Sequence, residues 1–179
     1  MTPRSASEQL VETAVERIGD QPALVGDVGT GSGAIAVAIA LAAPHAEVWA
    51  SDVSPAAVLL ARANAHRFGV ADRVRVVQGD LLTPLPNELD LIVANLPYLP
   101  RSERDEHPEL AEEPEDAVYA GGDGLDPYRR LLVGAEEKLR SGGAIAIQLH
   151  RRVFSAEREG LAAIRATLPE LVPSLRAVA

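Results

Sequence analysis

The segment Asp27-Val28-Gly29-Thr30-Gly31-Ser32-Gly33 decides the fold of this chain. It separates a short apolar run, residues 23–28, from a segment that is apolar nearly all round, residues 32–43. These patterns predict a strand followed by a helix that is buried on both sides. Because glycine has no Cβ, the backbone can turn sharply here and approach a ligand closely. We therefore predict a ligand-binding turn, with a turn that only packs the helix on the sheet as the alternative.

The order of strand, turn and helix recurs along the chain. The predicted strands are residues 23–28, 47–51, 73–78, 89–94 and 144–149. The predicted helices begin at Ser5, Ser32, Ser54 and Asp126, and a last helix covers residues 154–168. This alternation is typical of an α/β fold with a mostly parallel sheet and helices on both faces. A long acidic loop, residues 95–124, interrupts it on the side where a substrate would bind.

Length and composition bound the possible functions. A chain of 179 residues is long enough for one domain, residues 1–179, in which residues 1–20 form a leading helix. The absence of cysteine excludes thiolate nucleophiles and Cys-type metal sites, and four scattered histidines predict no metal centre. A net charge of −9 and 3% aromatic residues disfavour a nucleic-acid partner. No targeting segment or membrane span is predicted, so we expect a cytoplasmic protein.

Two acidic residues follow the second and third predicted strands. Asp52 stands about 20 residues beyond the glycines, where an acid can accept hydrogen bonds from both ribose hydroxyls. Asp80 follows the next strand and can accept from an adenine amino group, although Gly-Asp is also ordinary turn chemistry. The spacing Gly29-x-Gly31-x-Gly33 differs from the G-x-G-x-x-G of dinucleotide sites and is common in S-adenosylmethionine (AdoMet) enzymes. The predicted AdoMet-binding residues are Asp27, Gly29, Thr30, Gly31, Gly33, Asp52, Val53, Asp80, Leu81 and Asn95.

The turn Asn95-Leu96-Pro97-Tyr98 directly follows the fourth predicted strand. Here the chain resembles the N5-glutamine methyltransferase family (HemK/PrmC), whose members methylate the glutamine of the Gly-Gly-Gln motif in peptide-chain release factors. The other matching segments are Pro3-Arg4 with Glu8, and residues 27–33, 51–55, 61–64, 78–81 and 121–129. The combination of the Asn-x-Pro-Tyr turn with residues 121–129 is the most specific. The resemblance implies a single-domain, Rossmann-like class I AdoMet-dependent methyltransferase.

The resemblance also implies catalytic residues. In the family, the Asn side chain and the next backbone carbonyl accept the two hydrogens of the substrate amide, which here assigns those roles to Asn95 and Leu96. Pro97 and Tyr98 would form an apolar wall against the amide. Two acceptors orient an amide nitrogen, which is a poor nucleophile, and favour the positive charge that develops on it. The implied cofactor is AdoMet and the implied partner is a release factor.

This chain departs from the family pattern in four places, one of which is the ending Gln148-Leu149-His150 of the fifth strand in place of Glu-Ile-Gly. Leu96 replaces a residue that is usually proline, so we expect a less preorganised turn. The resemblance begins at Pro3, so we expect the family's N-terminal helical domain to be absent. Residues 169–179 leave little room for the family's pair of C-terminal antiparallel strands. We therefore expect truncated C-terminal strands and a sheet edge that is open or covered by a partner chain, which would make a homo-oligomer.

Three alternatives stay open at this stage. The first is methylation of an exocyclic amino group on a nucleic-acid base, since similar turns occur in such enzymes. The second is a non-catalytic AdoMet-binding subunit, and the third is an Asn-x-Pro turn that merely ends a strand. The acidic run at residues 103–116 is interpreted as a solvated face, with a mobile lid that steers a basic partner as the functional alternative.

Overall fold

A computed structural model describes residues 6–100, 119–120, 124–149 and 152–158 of the chain. Its helices are α1 (Ala6–Ile18), α2 (Ala34–Ala42), α3 (Pro55–Arg67) and α4 (Asp126–Lys138). Its strands are β1 (Ala23–Val28), β2 (Ala46–Asp52), β3 (Val74–Gln78), β4 (Leu89–Ala94), β5 (Leu99–Pro100), β6 (Tyr119–Ala120), β7 (Leu139–Leu149) and β8 (Arg152–Glu157). None of the helices in these ranges has the length and apolar character needed to cross a membrane.

The main sheet has six strands in the order β3-β2-β1-β4-β7-β8. All neighbouring pairs are parallel except β7 and β8, which are antiparallel. The predicted α/β fold with a mostly parallel sheet is confirmed. In the register, Val28 pairs with Ser51 on one side and Ala94 on the other. The carboxyl ends of β1, β2 and β4 therefore meet at one edge of the sheet.

Helices cover both faces of the sheet. Consecutive side chains of a strand point in opposite directions, so alternate residues of one strand pack against different helices. Leu91 and Val93 belong to the apolar cluster that contains buried residues of α1, α2 and α3. Ile92 and Ala94, which alternate with them, belong to the cluster around α4.

The prediction that α2 is buried on both sides is wrong: Ala36, Val37, Ile39 and Ala40 are buried, but Leu41 is 51% exposed and Ala34 and Ala42 are exposed too. Only the side of the helix that packs in the apolar cluster is withdrawn from water. The helix begins at Ala34, two residues later than predicted, because Gly33 adopts φ +78°.

The ends of α3 match the signals in the sequence. The Ser54 hydroxyl accepts a hydrogen bond from the Ala57 amide at 3.3 Å, and Pro55 occupies the first turn. Gly69 follows the helix with φ +71°, a conformation that glycine adopts without steric cost. The predicted cap of the first helix rests on Ser5, which lies outside the described residues, as do Pro3 and Arg4. Ser54 and Gly69 thus set the two ends of α3, which begins three residues after Asp52.

The predicted last helix is wrong over residues 154–157, which belong to the strand β8. Unpaired amides and carbonyls along the edge of β7 favour an added strand over a helix that would leave that edge bare. The edge of β7 is thus covered by a strand of the same chain. The fifth strand also begins earlier than predicted, at Leu139, because Leu139 pairs with Leu89 across a register shift. Residues 159–168 lie outside the described residues.

Candidate active site

The candidate site lies at the carboxyl edge of four adjacent parallel strands, β3, β2, β1 and β4. The glycine turn follows β1, and backbone hydrogen bonds join it to β2. The amides of Gly29 and Thr30 both donate to the Ser51 carbonyl, at 2.9 and 3.0 Å. The Gly79 amide, after β3, donates to the Asp52 carbonyl at 3.0 Å. The three segments thus form one hydrogen-bonded rim, the place where ligands bind in open α/β sheets.

The three glycines of the turn have positive φ angles: +69° at Gly29, +55° at Gly31 and +78° at Gly33. The surroundings of Gly33 and Gly31 differ. A Cβ built on Gly33 would lie 2.9 Å from the Ala61 Cβ, so this glycine lets α3 approach the start of α2. A Cβ on Gly31 would meet no atom of the described chain within 4 Å. Gly31 therefore borders open space that a ligand can occupy.

Asp27 is buried below the glycine turn, with 1% of its surface exposed. The Thr30 hydroxyl donates to Asp27 Oδ2 at 2.6 Å. Within the described part of the chain, Asp27 Oδ1 is buried without a hydrogen-bond partner. Burial raises the pKa of Asp27 to about 6, against the hydrogen bond from Thr30, which lowers it. The backbone amide of Ala36 also lowers the pKa of Asp27, so the first turn of α2 stabilises this carboxylate together with Thr30.

Asp52 links the end of β2 to the glycine turn. Its Oδ2 accepts from the Gly31 amide and its Oδ1 accepts from the Ser54 amide, each at 2.9 Å. Both oxygens are held in place, and each keeps a further lone pair for a hydroxyl donor. Val53, the next residue, is 60% exposed and offers an apolar surface beside this carboxylate. Asp52 and Val53 thus lie at the end of β2 beside the glycine turn.

Asp80 and Leu81 lie next to this rim, with one partner that the sequence did not indicate. The half-exposed carboxylate of Asp80 pairs with Arg130 of α4. An adenine amino group would therefore share Asp80 with a guanidinium. Leu81 has φ +47°, and its carbonyl accepts a hydrogen bond from the buried Ser51 hydroxyl at 2.7 Å. That hydrogen bond ties the loop after β3 to the end of β2.

The turn Asn95–Tyr98 meets the glycine turn directly. Leu96 is 4% exposed, and its Cδ2 lies 2.5 Å from the position that a Cβ on Gly29 would occupy. Pro97 and Tyr98 are half-buried. The Asn95 side chain is also half-buried, and none of its hydrogen-bonding atoms has a partner among the residues described. Asn95 precedes Leu96, the residue that packs on Gly29, and follows directly on β4.

Tyr128 is the site residue whose role sequence analysis missed. It lies on α4, is fully buried, and brings its hydroxyl to the backbone of Leu96. The Leu96 amide donates to Tyr128 Oη at 3.0 Å, and the hydroxyl lies 2.8 Å from the Leu96 carbonyl oxygen. In the sequence, residues 121–129 contribute only to the family resemblance, which assigns no role to this tyrosine. Packing on Gly29 and these hydrogen bonds oppose the loss of preorganisation that we expected from Leu96.

Two further predictions concern a metal centre and the acidic run at residues 103–116, and the described residues bear on them only in part. Within the ranges that the structure covers, no group of three or more His, Asp or Glu residues is arranged to hold a metal ion. The acidic run at residues 103–116 lies outside the described residues. On either side of it, Leu99 and Pro100 pair in parallel with Tyr119 and Ala120, so the long segment begins and ends with paired backbone.

Comparison with known proteins identifies relatives over most of the chain. A release factor glutamine methyltransferase from Moorella thermoacetica is 44% identical over 152 residues, which are 83% of this chain and 54% of that protein. A protein of the same name from Cereibacter sphaeroides is 38% identical over 181 residues, with 96% of this chain and 63% of that protein covered. The chain thus spans about half to two thirds of the length of these two relatives.

Solved structures share the fold. A ribosomal protein L11 methylase from Lactobacillus delbrueckii subsp. bulgaricus superposes with a TM-score of 0.57 at 25% identity, covering 79% of this chain and 58% of that one. A putative rRNA methylase from Clostridium thermocellum superposes with a TM-score of 0.61 at 16% identity, covering 82% and 73%, and supports the fold alone. The family model of the methyltransferase small domain matches residues 4–115, which is more than half of the chain. This chain therefore belongs to the methyltransferase small domain family.

Proposed function

We propose that this chain is the AdoMet-dependent methyltransferase domain of a protein that methylates the side-chain amide nitrogen of glutamine in a peptide-chain release factor. The observation that carries the proposal is the contact between Leu96 and Gly29, which joins the Asn95–Tyr98 turn to the glycine turn. Relatives named release factor glutamine methyltransferase support the substrate. A release-factor substrate would place this activity in the cytoplasm.

The residues at the rim fit AdoMet in both shape and charge. Gly31 leaves open space beside the backbone, and Asp52 offers two fixed carboxylate oxygens for ribose hydroxyls. Asp27 is buried directly below the glycine turn, where its negative charge would favour a cationic cofactor. Thr30 holds one oxygen of Asp27 in place, while Val53, Asp80 and Leu81 would border the adenine. When bound, AdoMet supplies an electrophilic methyl group on its sulfonium.

The chain's own residues would prepare the acceptor. Asn95 Oδ1 and the Leu96 carbonyl oxygen accept one hydrogen each from the glutamine amide, and Pro97 and Tyr98 flank its plane. Holding the amide in this way fixes the direction of its nitrogen, and alignment of two reacting groups accounts for much of the rate of such a transfer. As the nitrogen gains positive charge, its N–H groups become stronger donors to these two oxygens. The surplus proton then leaves to solvent.

The decisive experiment incubates the purified chain with radiolabelled AdoMet and a release factor carrying Gly-Gly-Gln or Gly-Gly-Ala. Label on the first and none on the second is expected. Asn95→Ala should abolish transfer and leave AdoMet affinity nearly intact, because the other predicted cofactor residues remain, whereas equal loss of both would indicate misfolding. Label on tRNA or DNA with a steep salt dependence would replace the proposal by a nucleic-acid substrate. AdoMet binding without transfer to any release factor would indicate a non-catalytic subunit.

The cofactor site has a matched pair of test variants. Gly31→Ala and Gly69→Ala both place alanine at a positive φ, +55° and +71°, with no atom of the described chain within 4 Å of the new Cβ. The backbone strain is therefore similar, and only Gly31 lies at the rim. Calorimetry should show weaker AdoMet binding for Gly31→Ala alone. Equal affinities in the two variants would exclude the space beside Gly31 as the cofactor site.

A further inference from the structure

Tyr128 is a buried polar group that the proposed chemistry does not use. Its ring belongs to the apolar cluster between the sheet and α4, and its exposed fraction is 0%. Its hydroxyl has three backbone neighbours: the Leu96 amide at 3.0 Å, the Leu96 carbonyl at 2.8 Å and the Gln148 carbonyl at 2.7 Å. The hydroxyl thus bridges the Asn95–Tyr98 turn and the end of β7.

The hydrogens at this point can be counted. A tyrosine hydroxyl has one hydrogen to donate and also accepts hydrogen bonds. The Leu96 amide fills one acceptor position, so the single hydroxyl hydrogen points at either the Leu96 carbonyl or the Gln148 carbonyl. In both cases a lone pair of the Leu96 oxygen remains for a substrate N–H, because a carbonyl oxygen has two.

We propose that Tyr128 is the positioning residue that holds the Leu96 carbonyl in line with the acceptor amide. This inference rests on the proposed function, in which that carbonyl accepts a hydrogen of the substrate. The hydroxyl touches both polar atoms of Leu96, so it restrains the peptide groups on either side of this residue. Tyr98 lies near enough to interact with it electrostatically, but among the site residues the hydrogen bonds of the hydroxyl reach only Leu96, so it acts on the reaction through Leu96.

Leucine at position 96 makes this restraint necessary. Leucine carries an amide hydrogen that must find an acceptor when buried, and proline at the same place carries none and has a fixed φ. The Tyr128 hydroxyl provides that acceptor. The role of Tyr128 should therefore depend on the residue at position 96, and this dependence separates positioning from simple core packing.

The first test is Tyr128→Phe, which keeps the ring and removes the hydroxyl. We expect kcat for release-factor methylation to fall about 10- to 100-fold, because a reacting group displaced by about 1 Å costs that much. AdoMet affinity should be unchanged. Leu131→Val, another buried change on α4, is the control for destabilisation and should keep the wild-type kcat. Wild-type kcat in Tyr128→Phe, or an equal loss in Leu131→Val, would overturn the proposal.

The second test places Tyr128→Phe in a Leu96→Pro background. With no amide hydrogen left at position 96 and a fixed φ, the loss caused by Tyr128→Phe should be markedly smaller than in the wild-type background. An equal loss in both backgrounds would mean that the hydroxyl does not act through Leu96, which contradicts the proposal.

A third measurement needs no substrate. With selective 15N-leucine labelling, exchange of the Leu96 amide hydrogen is followed by NMR in the wild type and in Tyr128→Phe. We expect exchange at Leu96 to be faster by about tenfold or more in the variant, with the Leu91 amide in β4 as an unchanged reference. Equal exchange rates would refute the positioning role. If the wild type methylates no release factor but exchange at Leu96 still accelerates, the proposed substrate fails and the positioning of Leu96 stands.

Discussion

Gly29→Ala tests the contact that joins the two halves of the site. Alanine at φ +69° costs about 1–2 kcal/mol, because its Cβ approaches the following carbonyl. The new Cβ would also lie 2.5 Å from Leu96 Cδ2, in a region where Leu96 is already buried. Forcing an extra methyl group into a packed core costs about 1–3 kcal/mol. We therefore expect Gly29→Ala to lower the free energy of unfolding by about 2–5 kcal/mol.

Gly69→Ala is the matched control for this experiment. Its φ of +71° imposes the same strain, but its new Cβ meets no described atom within 4 Å. Urea denaturation followed by circular dichroism, compared at equal m-values, should show a loss of only about 1–2 kcal/mol. The difference between the two variants, about 1–3 kcal/mol, then measures the contact with Leu96.

A double variant decides whether Leu96 is the cause. Leu96→Ala removes the atom that the new methyl group would strike, so Gly29→Ala should cost about 1–3 kcal/mol less in that background. Methylation of the release factor should fall in Gly29→Ala and remain in Gly69→Ala. Equal losses of stability in Gly29→Ala and Gly69→Ala would refute the packing of the Asn95–Tyr98 turn on the glycine turn. The same conclusion would follow if the effects of Gly29→Ala and Leu96→Ala on stability were strictly additive.

Three other variants address Asp27, Asp52 and Ser54. Because burial raises the pKa of Asp27 from 3.8 to about 6, the folded chain binds more protons than the unfolded chain between these values, and its stability falls as the pH rises. We therefore expect the free energy of unfolding of Asp27→Asn, relative to that of the wild type, to be up to about 3 kcal/mol higher at pH 8 than at pH 4. A difference between the two proteins that does not change with pH would contradict this. Asp52→Asn turns a donor toward the amide of Gly31 or Ser54, so calorimetry should show AdoMet affinity lower by about tenfold or more. Ser54→Ala removes the cap of α3, and denaturation should show a loss of about 1 kcal/mol; an unchanged midpoint would mean that the cap contributes nothing.

Local signals predicted the elements that carry the site. The strands β1 and β4 begin and end at the predicted residues, and α3 begins at Pro55 after its Ser54 cap. Here propensity, hydrophobic pattern and tertiary packing favour the same conformation. They disagree at residues 154–157, which the sequence pattern predicts as helix but which belong to β8 because an unpaired strand edge lies beside them. No local pattern shows that such an edge will be vacant.

The sequence by itself determined the α/β alternation, the glycine turn, and the acids that follow successive strands, because each depends on residues close together in the chain. Only the tertiary structure decided what these residues contact. The hydroxyl of Tyr128 meets the backbone of Leu96 across 32 positions, and Arg130 meets Asp80 across 50. Leu96 presses on Gly29 from a different strand end. Such contacts follow from the order of strands in the sheet and the face on which each helix packs, and no periodicity within a single segment encodes either.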